Sequence, residues 1–200
     1  MEKNFKDAMT LRRSYYQLGK QQIVSPQHIR KLVESALLHV PSAFHSQSTR
    51  IVLLFGQQHE RLWQITKDTL QAIVPPAAFE KTKEKIDRSF AGGYGTVLFF
   101  EDQDIVKRLQ EQFPLYEDNF PTFSEHTNAM HQFAVWTMLE DAGLGASLQH
   151  YNPLIDQAVA TEWGLPSSWK LAAQMPFGSP EDTPQEKVHA PLDERLRVFE

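Results

Sequence analysis

The chain contains no cysteine, which excludes disulfides, thiolate nucleophiles and iron–sulfur or thiolate–zinc centres. Long apolar runs are also missing. Stretches such as Ile51 to Phe55 are far too short to cross a bilayer, and the opening Met1-Glu2-Lys3-Asn4 has no apolar segment for secretion. A cytoplasmic protein with no membrane partner is therefore expected. A basic surplus is absent too: 20 Lys and Arg stand against 25 Asp and Glu, for a net charge of −5. Nucleic acid is not an expected partner. The short basic cluster Arg12-Arg13 is large enough for one phosphate, not for a polymer.

Several familiar motifs fail on inspection. Gly143-Leu144-Gly145 lacks the third glycine of a dinucleotide fingerprint, since position 148 is Leu148, and it follows a helical pattern instead of a strand. Gly19-Lys20 continues into Gln21, so there is no P-loop. No Gly-x-Ser-x-Gly elbow occurs. His126 and His131 are spaced to fall on different helix faces, and no His-Glu-x-x-His pattern exists, so no metal site is expected. The acidic pairs Glu101/Asp102 and Glu140/Asp141 read as helix-end and surface charges.

What is present fits a single domain over residues 1–200, with 41% hydrophobic residues to build a core. Residues 3–11 suggest a first helix. Ser25-Pro26 starts a second, which Pro41 stops. Residues 50–55 and 96–100 read as buried strands. Helical spacing covers Leu62 to Ile73, a more polar helix covers 77–90, and Asp102 caps a helix carrying Ile105, Val106 and Leu109. Thr122 and Glu125 form a capping-box pattern for a helix that ends at Gly143. Met130, Phe133, Trp136, Met138 and Leu139 surround much of it, as in a buried or interface helix. Asn152-Pro153 begins a short helix ending at Gly164. Trp169, Leu171, Ala173 and Met175 alternate as in a strand. Residues 176–187 read as a loop, and 194–199 as a last strand that must pair with its own sheet or a partner's. Scattered strands among helices indicate an α+β fold.

Four segments carry chemistry. Arg12-Arg13-Ser14, with Tyr16 close behind, can hold a phosphate, or form a solvated charged turn. Pro41 to Ser48 is a polar connection whose Ser42, His45 and Gln47 can bond a flat heterocycle, or simply one another. Gly143 to Asn152 includes a second glycine and the polar run Gln149-His150-Tyr151-Asn152, which a helix cap alone does not explain. The tail offers Lys187, His189 and Arg195 as phosphate ligands, or as solvated surface charges.

Together these segments resemble the nitroreductase family over nearly the full length, in particular the subgroup of small bacterial nitroreductases and a yeast fatty-acid-repression protein. The resemblance rests on Arg12 to Ser14, Pro41 to Gln47, Thr96 to Asp102, Met130 to Pro153, Gln174 to Gly178 and the closing Pro191 to Phe199. It implies a central, mostly antiparallel sheet flanked by helices, and an interlocked homodimer with FMN at the interface. The buried helix would lie in that interface, and the C-terminal strand would cross to the partner. The implied activity is NAD(P)H oxidation coupled to reduction of a small aromatic electron acceptor, such as a nitroaromatic or quinone. The alternative is an FMN-binding redox regulator or flavin store with little turnover. For the phosphate and ribityl end the resemblance points to Arg12, Arg13, Ser14, Lys187, His189 and Arg195. For the ring it points to Ser42, His45, Gln47, Gln149 and His150, the last two partly through backbone, with Tyr16 nearby. No side chain is expected to act as an obligatory acid or base. The family's Asn in the second segment is His45 here; a neutral imidazole also offers one donor and one acceptor, in a different geometry.

Overall fold

Local signals set most element boundaries. The structure, a computed structural model, describes residues 4–200. Helix α1 (Phe5–Leu11) is capped by Asn4, whose side chain accepts from Asp7 N–H while Asp7 accepts from Asn4 N–H. Lys3, the expected first residue of that helix, lies outside the described residues. Helix α2 (Pro26–His39) starts at Ser25, whose Oγ accepts from His28 N–H. Helix α3 (Gln57–Gln71) ends ahead of Pro75-Pro76 as expected, and α4 (Pro76–Ser89) opens on Pro76. Asp102 caps α5 (Gln103–Gln112) by accepting from Asp104 N–H.

The start of α6 (Phe120–Asp141) differs from expectation. Thr122 and Glu125 form no cap, because a tight helical turn, Pro114–Asn119, runs straight into the helix and Phe120 anchors its first turn in the core. Val135 and Leu139 enter the core, whereas Met130 and Phe133 stay 41% and 40% exposed. The buried face also carries Ser124, Thr127, Asn128 and His131. Helix α7 (Asp156–Trp163) starts later than Asn152-Pro153, after a turn in which Leu154 N–H donates to Tyr151 C=O. It ends at Gly164, whose φ of 58° is the left-handed conformation glycine adopts freely.

The sheet among the described residues joins β1 (Leu18–Gly19), β2 (Thr49–Phe55), β3 (Gly95–Asp102), β4 (Gly145–Ala146) and β5 (Trp169–Pro180). Its order is β1-β5-β3-β2, with β4 also on β5, and every ladder is antiparallel. The α+β expectation with an antiparallel sheet holds. Strand β3 is buried on both faces. Val97 and Phe99 pack with Ile29, Val33, Val135 and Leu139 from α2 and α6. Leu98 and Phe100 pack with Leu62, Trp63, Ile86 and Val159 from α3, α4 and α7. Helices therefore cover both sides of the sheet.

Strand β5 corrects two expectations. Phe99 pairs with Ala173 but Phe100 pairs with Leu171, so Ala172 is an extra bulged residue. The bulge moves Leu171 to the Phe100 side and keeps Ala173, Met175 and Phe177 on the Phe99 side. The simple alternation of Trp169 to Met175 on one face is thus broken. The strand also runs on to Pro180, through the stretch from 176 that reads as loop. A Cβ at Gly178 would fall 2.3 Å from Gly19 O and 3.0 Å from Tyr94 N. Glycine is there because backbones crowd, not because the chain turns.

The tail is the largest correction. Residues 194–199 form no strand, and the tail contains only a short turn at Leu192–Glu194. Val188, Leu196, Val198 and Phe199 are all exposed. Alternation gives a strand two faces, but the backbone also needs a sheet edge, and the protomer's own sheet does not receive it. No helix among the described residues is long and apolar enough to cross a membrane.

Candidate functional site

The connection between α2 and β2 is held in an unusual backbone conformation. Phe44, His45 and Gln47 have φ of 55°, 51° and 50°. Left-handed conformations in residues with a side chain cost roughly 1–2 kcal/mol each. They persist because the surroundings over-determine them. Ser42 Oγ accepts from Gln47 N–H at 3.0 Å. The Phe44 ring packs against Phe113 and Phe120, with centroids 4.9 and 5.2 Å away. Arg50 Nη1 donates to Gln47 C=O at 2.7 Å and Thr49 C=O at 3.1 Å, and its Nη2 donates to Asp102 Oδ2 at 3.0 Å.

This braced turn presents Ser42, His45 and Gln47 to one cavity of about 590 Å³. Its walls include the apolar side chains of Leu37, Val40, Ile51 and Trp169, and His131 reaches it from α6. Apolar walls with a few convergent polar groups suit a flat aromatic ligand. Gln47 Nε2 donates to His45 Nε2 at 2.8 Å. The imidazole then carries its hydrogen on Nδ1. Ser42 Oγ, already accepting from Gln47, keeps its O–H to donate. The cavity edge thus offers two donors, Ser42 O–H and His45 Nδ1–H, beside acceptors at Gln47 Oε1 and His131.

A second group forms at β4. Ser14 bridges to Ala146, and Tyr15 N–H donates to Ala146 C=O at 3.0 Å. The Arg12 to Ser14 segment therefore sits beside Gly145-Ala146, as the first and third sequence segments require. The second glycine has a packing reason: a Cβ at Gly145 would lie 3.0 Å from Tyr15 Cγ. The Arg12 guanidinium lies 4.3 Å from the Trp136 ring centroid on α6. Burial pulls its pKa down, with Glu140 opposing the shift. Arg13 donates one Nη to Gln185 C=O, while its Nε is buried without a hydrogen-bond partner among the described residues. Tyr16 is half exposed.

Other expected residues are placed differently. Gln149 N–H donates to Gln174 C=O at 2.7 Å, and Gln149 C=O accepts from Gln174 N–H at 2.9 Å. Its N–H is thus taken up by β5, which leaves its C=O as the backbone group with a free lone pair. Its amide donates to Ser147 Oγ. His150 is exposed and lines a separate cavity of about 390 Å³ together with Glu101, Asn128 and Lys170. Lys187, His189 and Arg195 are exposed on the tail. The start of the tail is tied to Arg13 through Gln185 C=O.

Sequence reasoning missed three residues. Glu101, expected at a helix end, is 4% exposed on β3. It accepts from Ser48 Oγ at 2.6 Å, Thr49 Oγ1 at 2.5 Å and Asn128 Nδ2 at 2.9 Å. It thereby ties the end of the braced turn to α6. Buried Gln174 organises the Gln149 to Asn152 run by accepting from Tyr151 N–H at 2.7 Å. Arg50 braces the turn. Glu101 and Gln174 fall in segments that carry the family resemblance, and Arg50 stands at the edge of an apolar run, but none of these signals gives the residue's role.

Comparison with known proteins gives the family and the fold. Residues 9–179 match the model of the nitroreductase family. The chain is 36% identical over 187 residues to nitroreductase FRM2 of Saccharomyces cerevisiae, covering 92% of each chain. Nitroreductase CinD from Lactococcus lactis, solved in complex with chloramphenicol, superposes with a TM-score of 0.90 at 42% identity, covering 98% of this chain and 100% of that one. A nitroreductase from Desulfitobacterium hafniense DCB-2, solved with bound FMN, shares the fold at a TM-score of 0.72 and 13% identity, covering 100% of both chains.

Proposed function

The chain belongs to the nitroreductase family, and from that premise we propose that it is an FMN-dependent NAD(P)H oxidoreductase acting on nitroaromatics, quinones or similar flat electrophiles. The observation that carries this reading is the strained turn at 44–47, which aims Ser42, His45 and Gln47 at an apolar-walled cavity. Strain retained in a folded chain is a marker of a functional site. The donor set also fits. The pyrimidine edge of a flavin presents carbonyl, N–H and carbonyl, and the cavity edge presents donors together with acceptors. In the second group, beside β4, the partnerless Arg13 Nε and the neighbouring Ser14 suit a phosphate.

FMN, when bound, supplies two-electron chemistry between NAD(P)H and an electron-poor aromatic. The protein's part is to bind and orient it, and to place hydrogen-bond donors where negative charge develops on reduction. His45 replaces an amide in that role with an imidazole whose Nε2 is taken up by Gln47, which leaves Nδ1–H as its donor. CinD, with chloramphenicol in its complex, supports a nitroaromatic as one acceptor. The cysteine-free composition suits a reducing cytoplasm.

The protein acts as a homodimer in this reading. Leu38, Met130 and Phe133 leave apolar surface on α2 and α6, and Val198 and Phe199 leave it on the tail. The tail crosses to the partner and brings Lys187, His189 and Arg195 toward a phosphate end.

Titrating the protein with FMN, followed by quenching of flavin fluorescence, tests the site. Arg13→Ala is expected to weaken FMN by about 10–100-fold, the loss of a charge-assisted contact. Unchanged affinity would remove Arg13 from the phosphate site.

A further inference from the structure

We propose that His131 is an additional ring-binding residue, whose Nε2 accepts a hydrogen bond from the imide N–H of the heterocycle held by Ser42 and His45. This rests on the flavin reading given above. His131 is 3% exposed on the inward face of α6. Its Nδ1 lies 2.9 Å from Thr127 C=O, one turn earlier in the helix. A carbonyl oxygen can only accept, so Nδ1 carries the hydrogen. The neutral ring then has its lone pair on Nε2. That atom has no hydrogen-bond partner among the described residues, and the side chain lines the cavity with Ser42, His45 and Gln47.

A helical histidine bonded to its own preceding turn is an ordinary packing arrangement, and it accounts for Nδ1. It does not account for Nε2. The rest of the ring is buried and Nε2 is left without a protein partner among the described residues at the cavity, so it is placed to accept from a donor on whatever fills that space. The cavity's donors, Ser42 O–H and His45 Nδ1–H, suit the two carbonyls of an imide and leave its central N–H in need of an acceptor. Gln47 Oε1 could also accept, but Gln47 is exposed to water. The buried imidazole makes the stronger bond in its drier surroundings.

The test compares FMN with FMN methylated at the imide nitrogen, using equilibrium affinity for wild type, His131→Phe and His131→Gln. Thermal unfolding of each variant without flavin verifies folding. Wild type is expected to prefer FMN over the methylated form by about tenfold or more. His131→Phe is expected to bind FMN about tenfold less tightly and to lose that preference, while His131→Gln, which keeps an acceptor, retains most of it. Equal wild-type affinity for the two flavins, or an unchanged preference in His131→Phe, overturns the assignment. A wild-type protein that binds neither flavin overturns the flavin reading, and this assignment with it.

Discussion

Glu101→Ala is expected to destabilise the protein by about 3 kcal/mol or more, because it strands three buried donors at once. The carboxylate has no cationic partner in its hydrogen-bond set. Its compensation is Ser48 Oγ–H, Thr49 Oγ1–H and the Asn128 amide. Each donor left without an acceptor costs roughly 1–3 kcal/mol, less where a hydroxyl can turn to another partner. Glu101→Gln keeps the shape and one acceptor, and the two hydroxyls can rotate to meet the new amide. Its expected cost is smaller, about 1 kcal/mol. Chemical denaturation midpoints at constant slope separate the two variants. The network also ties β2, at the end of the braced turn, to α6. Glu101→Ala should therefore loosen the turn and weaken FMN even where the fold survives. Equal stability of the two variants would show that the carboxylate is not what holds this junction together.

Acid should destabilise the fold between about pH 6.5 and 4 through His59. This histidine is 1% exposed on α3. Its Nε2–H donates to Ala91 C=O, which fixes Nδ1 as an acceptor for the Thr96 hydroxyl at 2.8 Å. Thr96 Oγ1 in turn accepts from Trp63 Nε1–H at 3.1 Å. The network is complete only with a neutral imidazole. Burial, the dominant cause, pushes the pKa of His59 from 6.5 down to about 4. The unfolded chain takes up the proton near 6.5 and the folded one near 4. The stability this histidine preserves is fully present above pH 6.5 and is lost as pH falls toward 4, by about 3 kcal/mol in all. Below that range both states are protonated and the contribution stops changing. His59→Gln, which cannot titrate, should flatten the stability profile across this window. An identical acid profile in wild type and His59→Gln would assign the acid sensitivity elsewhere.

What could be read from sequence divides along a physical line. Features decided within a few residues were legible: the Ser25-Pro26 start of α2, the Asp102 cap of α5, the glycine stop of α7 and the apolar run of β2. The polar segment holding Ser42, His45 and Gln47 was visible as a hydrophilic link between a helix and a buried strand, but its left-handed backbone was not. Features that depend on distant partners were not legible. Glu101 looks like a surface charge until β3 is seen against β2 and α6. His131 looks isolated until α6 is placed beside the cavity. The bulge at Ala172 arises from pairing with β3, so local alternation could not reveal it. The tail from 194 to 199 alternates like a strand, but a strand also needs an edge to bind. The second glycine, Gly145, which a helix cap does not explain, leaves room for Tyr15, a neighbour distant in sequence.

The most direct test of the proposed activity is the visible spectrum of the FMN-loaded protein, recorded without oxygen before and after adding NADH or NADPH. The expected result is bleaching of the flavin bands by at least one nucleotide, with recovery when chloramphenicol or another nitroaromatic is added. A protein that takes up no FMN, or a flavin-loaded protein that neither nucleotide bleaches, would contradict the oxidoreductase reading; in the second case the chain would be left as a flavin-holding protein.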